Sequence, residues 1–310
     1  MSKPTFIETK EYQLFREFCD ACKQYRYIGL CYGPPGVGKT LSARHYANWD
    51  KVEPHTLSGH SIPVTQQEVS PADALFYTVP VVNAANQLRN DIHALRKTLH
   101  DLVLDDLYQE KQTRTAEIYQ REREEADSPL RAGSWYRTSN GADFRRTEAL
   151  EKVHEEFRPR LKARPDPTRL ILVDETDRLK IATLEQLRAI FDVGDIGLVL
   201  IGMPGLEKRL ARYPQLYSRV GFVHLFRPLA NQEIRRLLQE KWRPPGTELP
   251  EEGIADEQAI ASVLRITGGN FRLLARLLTQ IARVLAVNAA HEVTVAVVEA
   301  ARESLVIGAA

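Results

Sequence analysis

Cysteine, net charge and long apolar runs are all scarce in this 310-residue sequence. The three cysteines are Cys19, Cys22 and Cys31. Cys19 and Cys22 have half of a zinc-binding spacing, but no second pair or nearby histidine partner completes it. We therefore predict buried or bystander thiols in a reducing compartment rather than a metal site.

The sequence also lacks a secretory apolar core and any apolar run of about 18 residues, so we expect a cytoplasmic protein. A formal net charge of +1 neither favours nor excludes a polyanionic partner, because a basic face would have to be local. With 43% hydrophobic and 27% charged residues, the composition is typical of a globular protein, and the length predicts about two domains.

The most informative stretch is residues 33–40, GPPGVGKT, which follows the apolar run 27–32 and precedes a helical segment. In this strand–turn–helix setting, glycines let backbone N–H groups converge on an anion, and the helix N-terminus adds positive charge. Lys39 supplies a full charge, and the Thr40 hydroxyl is placed to ligate Mg²⁺. The alternative is a glycine turn with a solvated lysine. We predict a nucleotide site formed by Gly33, Pro34, Pro35, Gly36, Val37, Gly38, Lys39, Thr40 and Leu41.

A second element is the adjacent pair Asp174 and Glu175, which ends the apolar run 169–173. Such a run is typical of a buried parallel strand, and ligands bind at the carboxyl ends of these strands. We predict that Asp174 binds the nucleotide's Mg²⁺ through water and that Glu175 polarises the attacking water. With the glycine-rich loop upstream, this pair predicts ATP hydrolysis.

Apolar runs and helical periodicities alternate along the chain, which predicts a parallel sheet with helices. Strands are predicted at 27–32, 74–83, 169–175, 196–202 and 217–226. Helices are predicted at 5–26, 86–106, 145–164, 234–242, 257–266, 271–287 and 293–305. We expect residues 48–73 to form an extended loop, and the charged residues 109–144 an insertion that is mobile at least in part.

These motifs resemble those of the AAA+ ATPases, and within them the transposition regulators of the TnsC, TniB, MuB and IstB type. The resemblance rests on residues 33–40, 173–179 (VDETDRL), 202–206 (GMPGL) and 268–272 (GGNFR). It implies an α/β AAA+ P-loop NTPase with a central parallel five-stranded sheet and a small C-terminal α-helical lid domain. The implied domains are an N-terminal helical segment (1–26), the ATPase core (27–228) and the lid (229–310).

The resemblance also implies roles for two arginines beside Glu175 in catalysis. Arg219, just before the fifth strand, would reach the γ-phosphate bound by a neighbouring subunit, with Arg209 and Arg212 as nearby alternatives. Arg272 would sense the γ-phosphate in its own subunit. Such a shared site implies head-to-tail assembly into a ring or a filament.

Met203 departs from the pattern of the resembling proteins. They place a polar side chain at the end of the fourth strand to hold the attacking water, and a thioether does this poorly. Either a neighbour such as Thr176 substitutes, or hydrolysis is slow.

The resemblance further implies duplex DNA, a transposase or a targeting adaptor protein as partners. DNA contact would come from the region between the second and third strands, through Arg89, Lys97, Arg145, Arg146 and Thr147. Basic groups on a shared face neutralise phosphates without reading bases, so binding would depend steeply on salt and little on sequence.

The resulting hypothesis is an ATP-dependent, DNA-binding regulator of transposition that oligomerises on duplex DNA and disassembles on ATP hydrolysis. One alternative is an ExeA-like protein remodeller or signalling ATPase without DNA binding. A small-molecule nucleotide kinase shares the phosphate loop, but it needs neither the Asp174–Glu175 pair nor a helical domain with an arginine like Arg272.

Overall fold

The computed structural model describes residues 6–58, 73–126, 139–250, 253–254 and 256–305. Contacts between residues divide the chain into two compact units. The first consists of Met1–Ala47, Phe76–Arg89 and Arg169–Ala310, and the second of Asn48–Leu75 and Asn90–Thr168.

The first unit contains a sheet and helices that precede and follow its strands in the sequence. Its elements are α1 (Lys10–Tyr25), β1 (Ile28–Tyr32), α2 (Lys39–Tyr46), most of β2 (Ala74–Thr78), β3 (Leu170–Asp174), α7 (Ile181–Gly194), β4 (Gly197–Gly202), α8 (Leu206–Leu210), α9 (Pro214–Tyr217), β5 (Val220–Leu225), α10 (Asn231–Gln239), α11 (Glu257–Thr267), α12 (Phe271–Val287) and α13 (Val295–Glu303). The second unit contains α3 (Trp49–Ser58), most of α4 (Ala85–Val103), α5 (Asp105–Ala126) and α6 (Ser139–Lys162).

In the described residues, the sheet has five parallel strands in the order β2-β3-β4-β1-β5, which confirms the predicted α/β fold. Ile28 of β1 lies opposite Leu198 of β4 and Val220 of β5. Every residue of β3 and β4 is buried, as their continuous apolar runs predict. Because the strands are parallel, the ends of β1, β3 and β4 meet at one edge of the sheet, where ligands bind in such folds.

Helix α1 packs closely on β1 and encloses the thiols. Cys19, Cys22 and Cys31 all have free, buried thiols, which confirms the predicted burial. Burial raises the pKa of Cys22 to about 12. A Cβ atom built at Gly29 would lie 2.4 Å from the Cys22 sulfur, so only glycine allows this approach of helix and strand.

The C-terminal helices α10 to α13 pack around their own apolar core, which includes the fully buried Leu274, Leu277 and Ile281. These helices lie where the sequence predicts them, within a few residues. The division of the chain into the domains 1–26, 27–228 and 229–310 stays a prediction.

The prediction of an extended loop at 48–73 is wrong for its first part. Residues 49–58 form α3, which contains Pro54. Proline removes one N–H donor from the helix, but burial of Trp49 and Val52 stabilises it. Residues 59–72 lie outside the described residues.

The sequence predicts no helix at 109–144, which is wrong where the structure describes these residues, since α5 continues to Ala126 and α6 begins at Ser139. That the segment is an insertion on the ATPase core stays a prediction. Charged residues of α5 form ion pairs with α6 and with Arg164, just beyond the end of α6. Their pairs are Asp106–Arg164, Glu110–Arg160 and Glu156–Arg114. Residues 127–138 lie outside the described residues. Of the helices described, none is long and apolar enough to cross a bilayer.

Candidate functional site

The glycine-rich loop at 33–40 connects β1 to α2 at the edge of the sheet where the strands end. Gly36 and Gly38 have φ values of +81° and +111°, a region that side chains disfavour. A Cβ at Gly36 would also lie 2.5 Å from the side-chain oxygen of Asn270. The loop therefore needs glycine at 36 both for its backbone shape and for its contact with the start of α12.

Lys39 is buried at the first position of α2. Its ammonium group donates hydrogen bonds to the carbonyl oxygens of Gly33 at 2.6 Å and Pro34 at 2.8 Å. Burial lowers its pKa, while the nearby Cys31 and Asp174 oppose that effect. A phosphate in the loop would offer this amine a charged acceptor, which forms a stronger hydrogen bond than a carbonyl.

Asp174 and Thr40 meet at the base of the loop. The Thr40 hydroxyl donates a 2.6 Å hydrogen bond to Asp174, whose carboxylate is only 4% exposed. Burial raises the pKa of Asp174, and the hydrogen bonds from Thr40 and from the Glu175 N–H lower it in part. Carboxylate and hydroxyl oxygens are the ligands that Mg²⁺ prefers, and a cation would stabilise this buried charge. The residues present thus fit Mg²⁺.

Glu175 lies just beyond β3 in a left-handed conformation, with φ of +57° and ψ of +38°. This conformation is uncommon for a residue with a side chain and is often found at functional sites. Its carboxylate lies 3.5 Å from the Arg178 guanidinium, and the side chain remains 43% exposed. Glu175 is accessible to a ligand in the cleft beside the loop.

The start of α12 rests on the loop. Asn270 donates from its amide to the Pro35 carbonyl at 2.9 Å, and the backbone N–H of Arg272 donates to the Gly36 carbonyl at 2.9 Å. Asn270 also caps α12 by accepting from the Leu273 N–H. Sequence reasoning missed Asn270 as a site residue, although asparagine before a helix is a common N-cap signal.

These elements enclose a cleft of about 340 Å³. The predicted site residues that line it are Pro35, Gly36, Gly38, Lys39, Thr40, Leu41, Asp174, Glu175 and Arg272. Of the others, Gly33 and Pro34 contact Lys39 through their carbonyls, and Val37 is buried. The cleft also contains Asp177 and Met203, which were not predicted to bind the nucleotide.

Arg219 lies away from this cleft. Its carbonyl accepts a hydrogen bond from the N–H of Ile28, the first residue of β1, whereas the loop follows the last. The five residues of β1 separate the two points by about 16 Å. The Arg219 guanidinium binds both carboxylate oxygens of Asp192, at 2.5 and 2.9 Å. Arg209 instead donates to the Asp177 carbonyl at 2.7 Å.

The predicted DNA-binding residues lie on two helices. Arg89 and Lys97 are exposed on α4, and Thr147 is exposed on α6. Arg145 and Arg146 also lie on α6, where the structure does not describe their side chains. A shared basic face stays a prediction.

Comparison with known proteins agrees with the fold and the loop. Residues 22–210 match the AAA domain family. A Staphylococcus aureus protein described as a potential ATP-binding protein is 39% identical over 306 residues, covering 98% of this chain and 97% of that protein.

Solved structures with a similar fold include two other proteins. RuvB of Thermotoga maritima, a Holliday junction branch migration motor, has a TM-score of 0.51 at 15% identity, over 97% of this chain and 70% of RuvB. The ORC2 protein of Aeropyrum pernix, solved with ADPNP and ADP, has a TM-score of 0.50 at 13% identity, over 99% and 71%. With the loop, the acidic strand end and the parallel sheet, these matches place the chain in the AAA domain family of P-loop ATPases.

Proposed function

We propose that this ATPase assembles head-to-tail on duplex DNA and recruits or activates a transposase, with ATP hydrolysis driving disassembly. The observation that carries the proposal is the position of Arg219. It lies one strand length from the nucleotide cleft of its own chain, so the ATP that Arg219 contacts has to be bound by another copy.

In the proposed site, the loop N–H groups and Lys39 bind the β- and γ-phosphates. Thr40 and Asp174 hold Mg²⁺, which neutralises phosphate charge when it is bound. A water oxygen bonds to the γ-phosphorus as the bond to the β–γ bridging oxygen breaks, and its electron pair leaves with ADP. Glu175 accepts a proton from the water and returns it to the products. Arg272, on the cleft wall, contacts the γ-phosphate and so links its presence to α12.

Assembly follows from the same chemistry. Arg219 binds the Asp192 carboxylate in a bidentate manner, and a guanidinium binds phosphate in the same way. A neighbouring γ-phosphate therefore competes with Asp192 for Arg219. A contact of this kind joins two different surfaces, which permits a ring or an open filament. ATP stabilises the assembly because only the assembled state has the additional arginine contact.

Duplex DNA is proposed as the surface on which the chain assembles. Support comes from the resemblance to transposition regulators and from the exposure of Arg89 and Lys97. The likeness to the RuvB motor is one of fold, so it adds a reason to test DNA and nothing more. Non-specific contacts of this kind predict binding that weakens steeply with salt.

Sedimentation of the Glu175→Gln variant tests the assembly proposal. The amide keeps the side-chain size but cannot accept the proton, so ATP stays intact in the bound state. With ATP and duplex DNA the variant is expected to form large species that persist. A variant that remains monomeric under these conditions contradicts the proposal.

A mobility-shift titration tests the DNA surface. Combined replacement of Arg89, Arg145 and Arg146 with alanine is expected to weaken duplex binding and reduce its salt dependence. Arg265→Ala with Arg302→Ala serves as the control, because these exposed arginines lie on α11 and α13. Unchanged binding by the triple variant would mean that the surface lies elsewhere. If the unmodified protein does not bind DNA, a protein remodeller is favoured.

A further inference from the structure

The nucleotide cleft contains a carboxylate to which the mechanism above gives no role. Asp177 lines the cleft beside Asp174, Glu175 and Met203. Lys39, Thr40, Asp174 and the loop account for the phosphates and Mg²⁺. Of the three residues beside Asp174, two offer carboxylates to hold the attacking water, namely Glu175 and Asp177, and Met203 offers a thioether.

One oxygen of Asp177 is fixed in place. It accepts a 2.8 Å hydrogen bond from the backbone N–H of Met203, at the end of β4. A Cβ at Gly202 would lie 2.6 Å from the same oxygen, so the missing side chain makes room for the carboxylate. Arg209 secures the backbone of Asp177 from the other side through its 2.7 Å bond to the carbonyl.

The second oxygen of Asp177 has no hydrogen-bond partner in the described part of the chain. The carboxylate of Asp177 interacts electrostatically with Lys39 in the cleft. Burial lowers the pKa of Lys39, and the charge of Asp177 is among those that raise it. A fixed carboxylate with one free oxygen is suited to orient a small polar ligand.

Met203 and Thr176, the residues that the sequence raises for this role, are less suitable. Met203 ends β4 with a thioether, which is a weak acceptor and no donor. Thr176 is 1% exposed, and its hydroxyl donates to the Ile201 carbonyl at 2.7 Å. It does not line the cleft.

We propose that Asp177 orients the attacking water, a task that the Met203 side chain at the end of β4 cannot perform. This inference rests on the proposed hydrolytic site. The water gives one hydrogen to Glu175 as a proton and directs the other to the free oxygen of Asp177 as a hydrogen bond. Asp177 neither gains nor loses a proton, so the balance of the reaction is unchanged. Its effect is to align the water oxygen with the γ-phosphorus.

Steady-state hydrolysis by Asp177→Asn is the first test. Asparagine keeps an oxygen for the Met203 N–H, so it preserves the bracing bond and replaces the free acceptor oxygen with an uncharged NH₂ donor. We expect kcat to fall by about 10²-fold, with KM and the melting temperature close to those of the unmodified protein. A kcat within about twofold of the unmodified protein overturns the proposal. A variant that loses kcat, nucleotide affinity and folding stability together also overturns the proposal, because such a combined loss shows that Asp177 only supports the local structure.

The second test asks whether Asp177 compensates for Met203. Met203→Asn adds a polar side chain at the end of β4. It is expected to raise kcat several-fold in the Asp177→Asn background, and by a clearly larger factor there than in the otherwise unmodified protein. Equal effects in both backgrounds overturn the proposal. Glu175→Gln distinguishes failure of the proposed hydrolytic site from failure of the Asp177 proposal. If this variant hydrolyses ATP normally, the proposed site itself is wrong. If only the Asp177 tests fail, the site stands and the role of Asp177 is wrong.

Discussion

The backbone N–H of Arg272 donates a hydrogen bond to the carbonyl oxygen of Gly36, 2.9 Å away. The first turn of α12 is thereby joined to the loop that is predicted to hold the phosphates. Free N–H groups at the start of a helix need acceptors, and here the loop supplies one. In the proposed site, nucleotide binding is therefore coupled to the position of α12 through the backbone as well as through the Arg272 side chain.

Asn270→Ala is expected to weaken both this contact and the helix. The side chain donates to Pro35 and caps α12, and loss of an N-cap costs about 1 kcal/mol of stability. Asp256→Ala is a matched control, since Asp256 caps α11 by accepting from the Gln258 N–H. Both variants should melt at lower temperature, but only Asn270→Ala should bind a fluorescent ATP analogue less tightly. Equal nucleotide affinities would show that the Asn270 contact does not matter for binding.

Asp174→Asn is expected to stabilise the nucleotide-free protein while impairing ATP binding with Mg²⁺. Burial raises the pKa of Asp174, so the ionised carboxylate destabilises the fold above that pKa and the penalty is relieved as the pH falls through it. The variant should therefore melt a few degrees higher than the unmodified protein at neutral pH. A melting temperature that falls would mean that the Thr40 bond to the charged form outweighs its burial.

The ion pair between Asp106 and Arg164 is expected to make the α5–α6 helices sensitive to acid. Burial raises the pKa of Asp106, but hydrogen bonds from Arg164 and the backbone outweigh this and hold it below its usual value of 3.8. Its contribution is present above about pH 4 and is lost as the pH falls through the lowered pKa. The pair is partly exposed, so we expect roughly 0.2–1 kcal/mol.

Urea unfolding of Asp106→Asn at pH 6 and pH 3 measures this contribution. The variant should be less stable than the unmodified protein at pH 6, and the difference should shrink at pH 3. Asp101→Asn is the control, because the exposed Asp101 has no ion pair in the described residues. A difference that is the same at both pH values would contradict the assigned role of the pair.

Much of the fold could be predicted because its signals are local. The buried strands β3 and β4 are continuous apolar runs, and the glycine-rich loop combines a strand, a turn and a helix start in one short stretch. The helices α5 and α3 were missed for a physical reason. Arg160 and Glu110 pair across two helices, and Trp49 is buried only in the folded chain, so neither effect is visible in a local pattern.

At the site, too, local sequence patterns identify motifs but not the contacts between distant segments. Lys39, Thr40 and Asp174 follow recognisable patterns, and the structure brings them together. The contacts of Asn270 with Pro35 and of Asp177 with Met203 join segments that are far apart in the chain or separated by a strand. Only the folded sheet determines which of these groups meet.

The central claim is that one ATP site is shared between two subunits, and a mixing experiment tests it most directly. Arg219→Ala lacks the arginine but keeps Glu175, whereas Glu175→Gln lacks the base but keeps Arg219. Arg188→Ala is the control. Arg188 also pairs with Asp192, but it lies on α7 and not at the start of β5, where the trans-acting arginine is proposed. Each of the first two variants alone should hydrolyse ATP slowly, while Arg188→Ala should remain active. Mixing the two slow variants should restore hydrolysis, since one subunit supplies Glu175 and its neighbour Arg219. A mixture that is no more active than its components contradicts the shared site.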